Sequence, residues 1–267
     1  MIDYYARIAP AILPHLAGRA LTVTRWPDGV AGKHFFEKRC PSHRPDWVRT
    51  EAVWAGRRAG EIEFCVCDDR PTLIWLAQLA ALELHPSLSL ADDVDRPTVL
   101  AFDLDPGEPA TIIECCRVGL MIRGLLAGLG LECFPKTSGS KGLQVYVPLN
   151  SDTTYETTKP FARAVAQALE RQHPELVVSR MTKELRQGKV FVDWGQNTAS
   201  KTTIAAYSLR ARSRPTASTP LLWGEVESAG DPLELSFEGA DVLARFERDG
   251  DPFAPVLSLE QTLPDEL

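Results

Sequence analysis

The sequence predicts an α+β fold with antiparallel or mixed sheets, and three observations carry that reading. "TVLAFDLD" (98–105) is a nearly continuous apolar run of strand length, suited to the centre of a sheet. "EIEFCVCDD" alternates Ile62, Phe64 and Val66 against Glu61, Glu63 and Cys65, the period of a half-buried strand. Segments of helical period interleave with these strands without a strict βαβ order, and no internal repeat is visible.

Taken in chain order, "YYARIAPAILPHLAG" is a proline-interrupted helix and "ALTVTRWPDG" a strand running into a turn at Pro27-Asp28-Gly29. "RPTLIWLAQLAALEL" is predicted helical, with Pro71 near its N-terminus and Leu73, Leu76, Ala77 and Ala80 on one face. After the 98–105 strand comes a helix over Glu108 to Leu129. "LECFPKTSGSKGLQVYVPL" then makes a strand, a Gly/Ser-rich loop and another strand. "TTYETTKPFARAVAQALERQHP" is an amphipathic helix with Phe161, Val165, Ala168 and Leu169 inward, and "GKVFVDW" a short strand. The tail holds Pro-Gly turns and one helix near Pro232 to Arg248.

The 267 residues suffice for one large domain or two small ones, and 44% hydrophobic with 24% charged residues is an ordinary globular composition. No apolar run reaches the roughly 20 residues of a membrane helix, and "MIDYYARIAP" lacks the pattern of a signal peptide, so a cytoplasmic location and no membrane partner are expected. None of the six cysteines forms C-x-x-C. Cys40 with His43 is at most half a metal site, so reduced, mostly buried thiols are expected rather than zinc.

The net charge of −7 hides a segregation. Arg25 to Arg58 carries eight Lys/Arg against four Asp/Glu, Arg180 to Arg214 eight against two, and Gly224 to Leu267 two against twelve. Local potential decides where a polyanion binds, so the total does not exclude nucleic acid.

Asp103 and Asp105 project to the same side of their strand, since residues i and i+2 share a face. Such a pair suits a hard divalent cation. It also suits an aspartyl-phosphate phosphatase, whose first motif is an apolar strand ending in DxD, and an exposed strand end needs no chemistry at all. Asp193 in "KVFVDWGQN" interrupts a second apolar strand and is costly there unpaired, so three strand-borne carboxylates favour a two-metal phosphoryl-transfer site.

Lys136, Ser138, Gly139, Lys141 and Gly142 in "PKTSGSKGLQ" form a loop able to cradle phosphate without Walker A spacing. In "YSLRARSRP", Arg210, Arg212 and Arg214 fall on one face if extended, a match for triphosphate oxygens. Phe35 and Phe36 stand between Lys33 and Lys38, as aromatics that stack on bases do, although such pairs more often keep one ring in the core. His85 is either a buried, hydrogen-bonded histidine or a ligand contact.

In this order, "RWPDG", "HFFEKR", "LELH", "FDLDP", "KTSGSKG", "VFVDWGQN" and "YSLRARSRP" resemble the polymerase domain of bacterial DNA ligase D, in the archaeo-eukaryotic primase superfamily, from about Asp3 to Trp223. No K-x-D-G adenylation motif is present, so the likeness is to a stand-alone version. The resemblance implies a primase-type fold of two αβ lobes around a cleft: an N-terminal lobe over 1–95, a catalytic lobe over 96–225 and an acidic segment over 226–267. It implies Asp103, Asp105 and Asp193 as ligands of Mn²⁺ or Mg²⁺, and Ser138, Lys141, Arg210 and Arg212 as contacts to an incoming NTP or dNTP. His85 would lie near the sugar, with ribonucleotides preferred, and Phe35 and Phe36 would engage the template.

Arg25 and Lys33 are expected to add to a DNA surface, and Gln196 and Arg186 flank the metal and nucleotide motifs. Gln144 stands where many relatives have histidine. It can hydrogen-bond phosphate or sugar but cannot carry positive charge. A basic segment that in relatives grips a 5′-phosphate would lie upstream of Asp3, so either the sequence is truncated or its start misassigned, or that recognition is weak or rebuilt from residues such as Lys33. The implied activity is a DNA-dependent nucleotidyltransferase filling gaps or broken ends in double-stranded DNA repair, with Ku and a separate ligase as partners. A non-catalytic end-bridging module and the phosphatase are the alternatives.

Overall fold

The computed structural model describes residues 1–54 and 60–264, so Arg57 and Arg58 of the basic stretch and Asp265 and Glu266 of the acidic one lie outside the described residues. The chain divides into two compact units: 1–95 with 199–218 and 237–251, and 96–198 with 219–236 and the chain from Pro252 on.

In the first unit, α1 (Ile2–Leu16) buries Tyr5, Ile8, Ile12 and Leu16 completely, the three-to-four spacing of one helical face. Strand β1 (Leu21–Arg25) is the hub of an antiparallel sheet. It pairs with β2 (Phe35–Glu37), with β4 (Glu61–Cys65), which in turn pairs with β3 (Thr50–Trp54), and with β5 (Ala81–Pro86). Helix α2 (Arg70–Gln78) starts on the Asp69 cap, whose carboxylate accepts from the Thr72 amide.

The helical period runs on to Leu84, but the helix does not. Ala80 turns to φ +61° and the chain enters β5, where "ALELHP" gains a register of five pairs with β1. That gain is non-local, so the period of the segment does not reveal it. A two-stranded ribbon of β6 (Ser89–Leu90) and β7 (Asp93–Pro97) follows.

The thiols depart from expectation. Cys40 and Cys65 form a disulfide, while Cys67, Cys115, Cys116 and Cys133 are free and buried. The Cys40 amide donates to the Glu63 carbonyl (2.7 Å), which lays the segment after β2 along β4 and brings the two Cα atoms to 4.9 Å. A separation of 25 residues carries no signal of this.

The second unit is built on a mixed five-stranded sheet. Its strands are β8 (Val99–Pro106), β9 (Phe134–Thr137), β10 (Leu143–Pro148), β11 (Val177–Val178) and β12 (Val190–Asp193), in spatial order β11-β12-β8-β10-β9, with only β11 and β12 parallel. Strand β8 lies at the centre with Val99, Leu100, Phe102 and Leu104 buried, as its apolar run requires. Helix α3 (Ile112–Gly128) packs on β8 and β10. It starts at Ile112 rather than Glu108 because Thr111 and Glu114 close a capping box there. Helix α4 (Tyr155–Gln172) buries Phe161, Ala162, Val165 and Leu169, and the short α5 (Trp223–Ser228) contacts α3.

The single tail helix expected near Pro232–Arg248 is two pieces: a 3-10 turn over Pro232–Leu235 in the second unit and α6 (Gly239–Asp249) in the first. Helix α6 packs on α1, with Gly239 beneath the Tyr4 ring and Arg7 donating to Glu247. Among the described residues no helix is long and apolar enough to cross a membrane.

Candidate active site

The sheet of the second unit lines up a polar row across four strands. Asp193 on β12 pairs in register with Asp103 on β8, Asp103 with Gln144 on β10, and Gln144 with Lys136 on β9. Register partners share a face, so the four side chains stand side by side, and Asp105, two residues beyond Asp103, stands on the same face.

Lys136 is fully buried, and its ammonium donates to Gln144 Oε1 at 2.6 Å. Gln144 in turn donates to the half-buried Asp103. Both Asp193 oxygens are held, one by the Gly195 amide (2.8 Å) and the other by Gln196 Nε2 (2.9 Å). Burial pushes the Asp103 carboxyl up to about 7, and the charges of Asp105 and Asp193 push the same way, against the Gln144 hydrogen bond and Lys136. At Asp103, therefore, burial and the two acidic neighbours outweigh the Gln144 hydrogen bond and the Lys136 charge.

These carboxylates are neighbours in register and not a closed cage. Among the described residues no three His, Cys, Asp or Glu groups gather around one point. The donor set is hard oxygen throughout, the chemistry that suits Mg²⁺ or Mn²⁺.

The loop after β9 is folded around Ser138. Its amide donates to the Gly142 carbonyl, and its hydroxyl accepts from the amides of Ser140 (3.3 Å) and Gly142 (3.1 Å). A Cβ on Gly142 would drive into the Leu104 carbonyl, so glycine is what lets the loop lie against β8. Lys141 is exposed and reaches Glu108 (3.0 Å). Arg186 lays its guanidinium over the Phe191 ring at 3.8 Å, and Phe191 is the register partner of Asp105, which puts Arg186 beside the carboxylate face.

The first unit holds the remaining predicted residues. On β5, Glu83 accepts from the Ala211 amide (3.0 Å) and lies 3.3 Å from Arg210, while His85 Nε2 lies 3.2 Å from Glu83 and 3.5 Å from Thr24. "YSLRARSRP" is not an extended strand. The Arg212 amide donates back to the Arg210 carbonyl, so the arginines diverge: Arg210 to Glu83, Arg214 to Glu238 (2.7 Å), and Arg212 exposed.

Phe35 and Phe36 are 40% and 57% exposed, so neither ring enters the core. Lys33 lies over Phe35, and Phe36 meets the His85 ring edge-on. Arg25 is occupied by both Glu37 oxygens and the Leu79 carbonyl.

The sequence placed Lys136 among loop charges, and its burial is the residue-level surprise of the site. The signal was there in outline, since "FPKT" and "LQVY" are strands flanking a tight loop and hairpin pairing sets Lys136 opposite Gln144.

A fold built on such a row defines a class, and comparison gives its family. Residues 1–253 match the profile of the LigD primase-polymerase domain, and the chain belongs to that family. It is 43% identical over 269 residues to the multifunctional non-homologous end joining protein LigD of Mycolicibacterium smegmatis, covering 100% of this chain and 34% of that protein. To the bifunctional LigD of Bacillus subtilis it is 33% identical over 253 residues, 94% of this chain and 40% of that protein. The chain thus spans about a third of the length of the curated relatives it matches. Its fold is that of the polymerase domain of Mycobacterium tuberculosis ligase D, solved in complex with DNA: TM-score 0.88 at 42% identity, covering 97% of this chain and 92% of that one.

Proposed function

We propose that this chain is a DNA-dependent nucleotidyltransferase of DNA repair. It fills gaps or broken double-stranded ends from NTPs, and less readily from dNTPs. The observation that carries this is the register pairing of Asp103 with Asp193, with Asp105 on the same face and the Asp103 carboxyl pushed up by burial and by those two neighbours. The family's polymerase and end-joining names support it.

Asp103, Asp105 and Asp193 would hold two Mn²⁺ or Mg²⁺ ions, which when bound lower the pKa of a primer 3′-hydroxyl and neutralise the leaving pyrophosphate. The chain's own residues prepare that site. Gly195 and Gln196 fix both oxygens of Asp193. Lys136, through Gln144, turns an amide N–H toward Asp103 and offsets part of its charge. Ser138 shapes a loop whose Lys141 meets the triphosphate, with Arg210 and Arg212 as further phosphate contacts. His85, held by Glu83, would face the sugar, and the exposed Phe35 and Phe36 the template. Ku and a separate ligase are proposed partners, in the nucleoid-containing cytoplasm.

The test is extension of a labelled primer on a one-nucleotide-gapped duplex with Mn²⁺, comparing NTPs with dNTPs and a downstream 5′-phosphate with a 5′-hydroxyl. Incorporation by the wild type is expected. DNA binding without incorporation would mean a bridging module and overturn the catalytic reading.

A further inference from the structure

One polar group of the first unit has no part in the site above. Thr22, on the central strand β1, is fully buried, and its hydroxyl has no hydrogen-bond partner among the described residues. A hydroxyl taken from water and left unpaired is unfavourable, so such a group calls for a ligand or a water.

Thr22 lines a cavity of about 30 Å³, room for roughly two waters or the atoms of one phosphate group. Lys38, Trp54, Ser87, Ser200 and Thr202 also line it, against an apolar wall that includes Val53 and Phe64. No carboxylate is among the lining residues. Lys38 has no hydrogen-bond or ion-pair partner among the described residues. The lining therefore combines one lysine without a partner among the described residues and several hydroxyl-bearing residues, with no carboxylate among them.

Its place adds a second argument. Thr22 is the register partner of His85, and Thr24, two residues on, is the partner of Phe36. Lys38 follows Glu37, the partner of Val23. The cavity thus continues the face that carries the exposed Phe36, and the 64%-exposed Trp54 flanks it. A strand whose base meets an aromatic ring must place its next phosphates within one nucleotide's reach of that ring.

We propose that this cavity is a phosphate subsite for a nucleic-acid strand, in which the Lys38 ammonium and the hydroxyls of Thr22, Ser200 and Thr202 hold one phosphate group. The proposal rests on the DNA-binding reading above. The Ser87 hydroxyl is already engaged with Ser89 and serves as a wall.

The experiment is fluorescence-anisotropy titration of gapped duplex across a salt series with wild type, Lys38→Gln, Lys38→Arg and Thr22→Val, each also melted in the absence of DNA. Lys38→Gln is expected to weaken binding about five- to tenfold at low salt and to lower the salt slope by about one, while Lys38→Arg retains both. Thr22→Val is expected to weaken binding about threefold with an unchanged or higher melting temperature, because it removes a buried hydroxyl that bonds no other described residue.

A loss in Lys38→Gln that vanishes when the duplex carries a 5′-hydroxyl identifies a terminal phosphate. A loss that persists there, and is matched by one methylphosphonate in the strand, identifies an internal phosphodiester. Affinity and salt slope unchanged in both Lys38→Gln and Thr22→Val would overturn the subsite, and Lys38→Gln alone decides if Thr22→Val does not fold. A wild type that binds none of the duplexes would instead overturn the DNA-binding reading itself.

Discussion

Glu83 and Asp103 are the same kind of group in the same kind of place: a strand-borne carboxylate with an ionisable residue two positions on. In the first unit, burial pushes Glu83 up, but the His85 hydrogen bond, the Arg210 charge and the Ala211 amide outweigh it and hold the carboxyl below its ordinary range. In the second, burial together with Asp105 and Asp193 pushes Asp103 up to about 7, and the Gln144 hydrogen bond and Lys136 do not balance it. One site is electrically complete within the chain. The other keeps a carboxyl whose charged form its neighbours within the chain disfavour, the kind of perturbation found more often at functional sites than in a scaffold.

The most severe way to break the comparison is Asp103→Ala. If the carboxylates serve metals, incorporation in the primer-extension assay falls at least about a thousandfold, while duplex affinity stays within about threefold. Under the phosphatase alternative, Asp103→Asn would stop phosphate release and Asp193→Ala would spare it.

Removing the counter-charge of the balanced site comes next. Arg210→Ala leaves Glu83 buried beside fewer cations (side-chain exposures 18% and 11%), and the expected loss is about 2–4 kcal/mol in denaturant unfolding. Adding Glu83→Gln should recover part of that loss, and no recovery would show that packing, rather than charge, was what Arg210 supplied.

The unbalanced site predicts the opposite sign. With divalent metal chelated, Asp103→Asn should raise stability by roughly 1 kcal/mol, about 2–4 °C for a chain of this size. The pH dependence follows. A carboxyl raised to about 7 opposes folding above that pH, and the penalty is relieved as pH falls from about 7 toward the ordinary carboxylate range. Glu83, whose carboxyl is lowered, contributes stability that is present above its ordinary range and lost only as pH falls through its folded value. Chelated protein melted between pH 8 and 6 should therefore gain stability on acidification through Asp103, a gain absent from Asp103→Asn.

The smallest effect on stability belongs to Lys141→Ala. Its pair with Glu108 is exposed on both sides (62% and 84%), so unfolding should change by less than about 0.5 kcal/mol. The KM for nucleotide should rise several-fold if Lys141 meets the triphosphate, and an unchanged KM would remove Lys141 from the phosphate site.

Much of this was legible along the chain. The strand period alone sets Asp103 and Asp105 on one face, and an aspartate inside "VFVDW" signals a partner because an unpaired charge in an apolar strand is costly. A helix within "TTYETTKPFARAVAQALERQHP" was equally plain from its period, with Phe161, Val165 and Leu169 buried as expected and Ala168 only half-buried.

Less was visible where a second segment decided the outcome. "LAALELH" kept helical period and became a strand edge of β1. The arginines of "YSLRARSRP" were drawn apart by Glu83 and Glu238. The Cys40–Cys65 bond followed from how the chain lies along β4.

The sequence by itself determined the periods, the caps and the kinds of donor: carboxylates on two strands, a glycine-serine-lysine loop, aromatics between lysines. Those are local properties, set by backbone geometry and side-chain chemistry within a few residues. Only the tertiary structure decided which charge answers which, setting Asp193 and Gln144 beside Asp103, burying Lys136 behind them, and giving Glu83 to Arg210. Charge balance is summed over neighbours in space, and strand register, which makes residues 90 positions apart adjacent, is the term the chain does not display.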